Sequence, residues 1–158
     1  MLNLDENGTI TMNRIPVVDI DSVMTFDLET DIKTAINNNE EIISERAVSS
    51  GDTANGNKKE RTLDDLEERL KIKMMQLFET IEQEKLSYEA ARVGYNGARM
   101  SWNRARKQHS LGMLGASEYL QAEMEYIQKQ TGYEAAGLSL FQALEQYKWA
   151  VKGLVELD

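Results

Sequence analysis

The sequence predicts an all-α fold: a long antiparallel coiled-coil helical hairpin with one shorter helix and an extended N-terminal lead-in. Three observations predict it. Bulky and slim residues recur every seven positions from Leu63 to Leu154, one glycine-rich interruption falls at 111–116, and no proline follows Pro16.

The elements follow in order. Residues 1–21 mix Asn, Gly and Asp with Ile15-Pro16-Val17-Val18, and Pro16 forbids a helix interior, so an extended lead-in is expected there. From about 25 to 47 the apolar residues Leu28, Ile32, Ala35, Ile36, Ile42 and Ile43 recur mostly three and four apart. Asp27, Glu29 and Asp31 crowd the first turns, where the helix dipole favours negative charge, and one short helix is expected within 22–48. The segment 49–61 has no apolar periodicity and is rich in Ser, Gly, Asn and Asp, which reads as a flexible linker.

Thr62 can cap the next helix, with Asp65 three residues on, and that helix is expected over 62–108. One seam position holds Leu63, Leu70, Leu77, Glu84, Ala91, Ala98 and Ala105; its companion holds Met74, Ile81, Tyr88, Tyr95, Trp102 and His109. The repeat resumes over 117–155 with Tyr119, Tyr126, Tyr133, Leu140, Tyr147 and Leu154, beside Ala122, Ala136, Ala143 and Ala150. Large side chains against alanines make a narrow seam suited to close helix approach. Two such strips joined by a few residues fold back antiparallel, so 62–158 forms the hairpin, with arms of roughly 60 to 70 Å.

Between the arms, Gly112 can end the first helix in a left-handed conformation, and Gly115 or Ser117 can cap the second with Glu118 in its first turn. Leu111, Gly112, Met113, Leu114 and Ser117 then form an extended tip that presents apolar side chains for docking. The segment 90–117 carries Arg92, Arg99, Arg104, Arg106 and Lys107 and no acid. Folding back near Met113 is expected to set these bases beside Glu118, Glu123 and Glu125, in pairs that choose register more than they stabilise.

The formal charge of −9 disfavours a nucleic-acid partner, because phosphate binding draws on clustered bases. Cysteine is absent, which removes disulfides, thiol nucleophiles and Cys-based zinc sites. No apolar run approaches the ~18 to 20 residues of a membrane helix, and the N-terminal residues do not read as a signal peptide. The lone His109 cannot complete a di-metal set, and Asp64, Asp65, Glu67 and Glu68 run into Arg69, Lys71 and Lys73 on a solvated face. There is no P-loop, no dinucleotide fingerprint and no nucleophile-base set, so neither an enzyme nor a bound cofactor or metal is expected.

The stretch from about Leu66 to Gly153 resembles one helical-hairpin repeat of TolC-family outer-membrane efflux proteins, without the strands that cross the membrane. The residues that carry the likeness are the turn Leu111-Gly112-Met113-Leu114 with Ser117-Glu118-Tyr119-Leu120, then Ala135-Ala136, Tyr147, Ala150 and Gly153. Upstream, Asp31-Ile32-Lys33-Thr34-Ala35-Ile36-Asn37-Asn38-Asn39-Glu40-Glu41-Ile42 is similar to the family's short Asn-rich helix opening a repeat. The resemblance implies a non-enzymatic component of an envelope efflux or export system, located at the periplasm or outer membrane. It further implies a homo-oligomer, and tip residues Leu111, Gly112, Met113, Leu114 and Ser117 that contact a pump's adaptor protein. The alternative expectation is a free-standing coiled-coil scaffold that self-associates through its seam.

Overall fold

The computed structural model describes residues 26–47 and 53–157, the backbone alone for 53–58. Four helices make up the described fold: α1 (Leu28–Asn38), α2 (Glu40–Ala47), α3 (Thr53–Ser110) and α4 (Ala116–Val151). The described residues contain no strand, and α3 and α4 pack along each other as the expected antiparallel hairpin. At 1.5 Å per residue the 58 residues of α3 span about 87 Å and the 36 of α4 about 54 Å. The longer arm leaves room at the base, where α1 lies against both long helices and α2 against α3.

The seam is filled as the repeat dictates. Leu70, Met74, Ile81, Leu140 and Tyr147 are wholly buried, and Tyr88, Ala98, Ala105, Ala143 and Ala150 nearly so. Each fully buried large apolar side chain is worth about 1.5–3 kcal/mol relative to exposure. Ala35 and Ile42 join the same cluster, so the short helices and the hairpin base share one core. Tyr147 sits at its centre, with Phe26 and Phe78 ring centroids 4.9 and 6.2 Å away, and its hydroxyl donates to Asp31 Oδ2 at 2.9 Å.

Four expectations need correction. The single helix over 25–47 is two helices, broken at Asn39, whose backbone is extended (φ −71°, ψ 125°). Asn39 is buried; its Oδ1 accepts from the Ile42 N–H and caps α2, while its Nδ2 donates to the carbonyls of Gly153 and Val155. Three bonds from one side chain settle the break, because a buried amide left unpaired would cost about 1–3 kcal/mol.

Secondly, α3 starts at Thr53 rather than Thr62, so 53–61 is helical and Thr62 is not a cap. Once a long helix is nucleated, each further residue adds one hydrogen bond, and Lys59 Nζ donates to the Arg46 carbonyl at the end of α2. Thirdly, α4 ends at Val151 instead of 155, because Gly153 takes φ +81° and lies directly against the Asn38–Asn39 peptide. Fourthly, the expected pairing of the basic segment with Glu118, Glu123 and Glu125 is not formed. Among the described residues the ion pairs within 4.0 Å lie elsewhere, at Lys33–Glu29, Arg46–Glu67, Arg69–Asp65, Lys71–Glu68 and Lys148–Glu145. Register is set instead by ring contacts in the seam. The lead-in 1–21, residues 22–25 and 48 of the expected short-helix segment and residues 49–52 of the expected linker lie outside the described residues.

Candidate functional site

The hairpin elbow is built by local backbone chemistry. Met113 N–H donates to the Gln108 carbonyl and Gly112 N–H to that of His109, both at 2.9 Å, with Gly112 at φ +70°. This is a Schellman motif, which closes the carbonyls a helix end leaves open and turns the chain out of α3. The same pair of bonds recurs at the end of α4, from Leu154 to Trp149 and from Gly153 to Ala150. Gly115, in extended backbone, then caps α4, and Glu118 reaches back to accept from the Gly115 N–H at 3.3 Å. Ser117, the other capping candidate, lies inside the first turn of α4.

His109 has a positional task here. Its Nδ1 is 2.9 Å from the Leu114 carbonyl, and its ring stacks on Tyr119 with centroids 4.9 Å apart. The imidazole thus ties the last turn of α3 to the far side of the elbow and to the first turns of α4. In consequence all five tip residues come together at one end of the molecule. Leu111 and Met113 are 64% and 74% exposed, Leu114 is half-buried against the elbow, and Gly112 and Ser117 face solvent. Leu111 and Met113 therefore project from a rigid turn with no core of their own.

Below the tip the seam is a column of aromatic rings taken alternately from the two helices. Tyr88 pairs with Tyr133, Tyr95 lies between Tyr133 and Tyr126, and Trp102 stacks on Tyr126, with centroids 4.8 to 5.8 Å apart. The Tyr88 and Tyr133 hydroxyls share a 2.6 Å hydrogen bond. Burial first, and that bond second, push the Tyr88 phenol up to about 12, well above an ordinary tyrosine. The Arg106 guanidinium lies 5.0 Å from the Trp102 ring centroid, a cation–π contact that accounts for one of the bases without an acid partner. The rings are packing, and no cleft among them collects the convergent polar groups of a ligand site.

The acidic segment at the start of the sequence-predicted arm is engaged otherwise. Asp65 pairs with Arg69, Glu67 with Arg46 of α2, and Glu68 with Lys71. The described residues contain no group of three or more His, Asp or Glu side chains placed to hold a metal ion. None of the described helices is long and apolar enough to cross a membrane.

Two further surfaces escape a reading confined to the seam. On α3, Leu86, Val93 and Met100 are exposed and seven residues apart, each two positions before a seam ring, which puts them on the side turned away from α4. On α4, Leu120, Met124, Ile127 and Leu138 are exposed along its outer side, and Ser117, Leu120, Gln121 and Met124 help line an open groove just behind the tip. A second seven-residue register, displaced by two from the first, is the sequence signal that reveals the α3 stripe. The charges on these sides are mixed on α3 and acidic on α4: Glu82, Glu89, Arg104 and Lys107 lie three, four or seven residues from Leu86, Val93 and Met100, and Glu123 and Glu134 lie three or four residues from Leu120, Ile127 and Leu138. The seam itself is consumed within one chain, so it is not free to receive a second copy. Comparison with protein-family models, with curated proteins and with solved structures gives no match.

Proposed function

We propose that the chain is a non-enzymatic, TolC-like hairpin component of an envelope efflux or export system, whose tip docks an adaptor protein. The observation that supports this reading is the elbow itself. A Schellman turn, the His109 tie and the Gly115 cap hold Leu111 and Met113 exposed at the end of a long arm. Fixing a loop before binding lowers the ordering cost of association, so such a tip is suited to docking. In this reading Leu111, Met113 and Leu114 enter an apolar pocket of the adaptor, and Gly112 and Ser117 keep the rim open. A cysteine placed at the tip by Met113→Cys should crosslink to envelope adaptor proteins when the full chain is expressed with them. If Met113→Cys gives no crosslink while the protein is present and folded in the envelope, the docking reading fails.

A second reading, a self-associating hairpin, is supported by the two outer stripes, and it is compatible with the first because it uses different surfaces. In this reading the exposed apolar side of α3 in one copy packs on the exposed apolar side of α4 in the next, with both tips pointing the same way. Such a contact pairs unlike patches and so generates a ring or an open array. Sedimentation equilibrium tests it: the chain should associate reversibly, and Val93→Glu, which sets a charge in the apolar α3 stripe, should weaken association about tenfold or more. A chain that stays monomeric at all concentrations excludes this second reading.

A further inference from the structure

We propose that Tyr88 and Tyr133 are a modification site: one-electron oxidation joins their rings by a carbon–carbon bond and ties the two arms of the hairpin covalently. Their hydroxyl oxygens lie 2.6 Å apart and their ring centroids 5.1 Å apart, with the ring planes tilted by 35°. The phenolic ends therefore meet, which brings together the ring carbons beside each hydroxyl, where an oxidised tyrosine carries unpaired spin. The two residues come from opposite arms and are 45 positions apart in the chain. Gly137, one turn on from Tyr133, has no side chain beside Tyr88 Cε2, so the ring has room to turn as the bond forms. The other tyrosines are placed less well. Tyr119 stacks on His109, Tyr147 packs on Phe26 and Phe78, and Tyr95 lies 5.4 Å from Tyr133 and 5.8 Å from Tyr126. The sequence contains no cysteine, so a disulfide cannot make such a tie. The site stands apart from both the tip and the outer stripes and depends on neither reading above.

The shared hydrogen bond lets both rings react although Tyr88 is only 6% exposed and Tyr133 is half-buried. An oxidant takes one electron from Tyr133, and its hydroxyl proton passes to water, leaving a phenoxyl radical. A hydrogen atom then moves from Tyr88 Oη to Tyr133 Oη, which shifts the radical to Tyr88 and restores Tyr133 as a phenol. A second oxidation of Tyr133 sets two radicals side by side. Their unpaired electrons form one bond between carbons beside the hydroxyls. Each of those carbons then loses its hydrogen as a proton and each oxygen takes one up, so both phenols are restored. The protein loses two electrons and two protons in all; hydrogen peroxide, acting through a peroxidase, accepts them and becomes two molecules of water. Because the fold holds the partners in contact, coupling is unimolecular and outruns coupling between chains.

The experiment treats the full chain with a peroxidase and hydrogen peroxide, isolates the monomer and maps its peptides by mass. The peptides that contain Tyr88 and Tyr133 should be found joined, with two hydrogens missing, and the monomer should gain the fluorescence of a coupled phenol pair. Tyr88→Phe and Tyr133→Phe, which keep a ring in the seam and whose helicity is checked by circular dichroism, should each lower that fluorescence about tenfold; Tyr119→Phe should leave it unchanged. The joined chain should have a urea midpoint raised by about 1 M or more, because the new bond restricts the unfolded chain. A link at Tyr95–Tyr126 in place of Tyr88–Tyr133 overturns the proposal. So does a link spread over the tyrosines as widely as in the urea-unfolded chain, or treatment that oxidises Trp102 and Tyr119 and leaves the pair unjoined. A joined chain with an unchanged midpoint overturns the claim that the bond ties the arms.

Discussion

Gly112 and Gly153 occupy the same place in two identical helix-ending motifs, yet their surroundings differ. Gly112 has φ +70° and open space around its Cα, so a side chain there meets only the intrinsic penalty of left-handed backbone. Gly153 has φ +81° and its Cα faces the Asn38 carbonyl, where a Cβ would overlap backbone atoms. Gly112→Ala should therefore destabilise by about 1–2 kcal/mol. Gly153→Ala should add to that penalty the loss of the Asn39 clasp, for a total of about 3 kcal/mol or more. Urea denaturation of the two variants checks the order; equal losses would mean that the clasp contributes nothing. Gly112 is legible in the sequence as a helix end, whereas Gly153 falls inside the expected 117–155 arm, and only one sequence signal, the Asn37-Asn38-Asn39 run, hints at the clasp. That run looks like a polar stretch tolerated by a continuing helix, because the contact that breaks the helix at Asn39 comes from residues 114 and 116 positions away.

At the scale of elements, the seven-residue repeat is what makes both long helices and their antiparallel pairing readable. The seam positions it names are buried or half-buried in the contact, apart from His109 and Leu154 at the ends of the arms. The tip is readable for the same reason: it is the one place where the repeat lapses. What the repeat does not report is the start of α3, where Thr53, Asn55, Gly56 and Asn57 oppose a helix that an established arm nevertheless propagates. It also does not report the outer stripes, whose residues pack on nothing within the chain. Helix propensity still acts where packing does not decide. Gly97 lies inside α3 with no atom within 4 Å of the place a methyl group would take, so Gly97→Ala should stabilise by about 1 kcal/mol, read as a raised urea midpoint at constant slope. Gly137→Ala should gain less, because its methyl group would stand 3.4 Å from Tyr88 Cε2.

The buried tyrosines make a prediction of opposite sign with pH. Tyr147 is raised by burial first and by its bond to Asp31 second, and Tyr88 by burial and by Tyr133, so both phenols stay protonated in the fold. Their contribution is complete below the ordinary tyrosine value of 10.0 and is lost as pH rises from there through about 12. Above pH 10 the unfolding free energy should fall, and Tyr88→Phe should flatten that decline; a decline unchanged in Tyr88→Phe would assign it to other groups.

Over the whole molecule, stability is unevenly distributed. At the base the short helices α1 and α2 pack on the hairpin, and this end contains the wholly buried Leu70, Met74, Ile81, Leu140 and Tyr147. Toward the tip only two helices remain, and Tyr95, Trp102, Tyr119 and Tyr126 are each half-buried at best. The column below the tip also holds the Trp102 indole N–H, which is shielded from solvent and lacks a hydrogen-bond partner. A donor shut away in this manner costs about 1–3 kcal/mol. Fewer buried contacts and an unpaired donor both lower the free energy needed to open that end locally. Backbone amides over 95–108 and 119–130 should accordingly exchange with solvent deuterium about tenfold or more faster than those over 70–81 and 140–150. Trp102→Phe, which removes the donor and keeps a ring against Tyr126, should narrow the gap by slowing exchange at the tip. A hairpin that exchanges uniformly along its length would show that the aromatic column holds the helices as firmly as the base does, and that the tip stands on an arm of even stiffness.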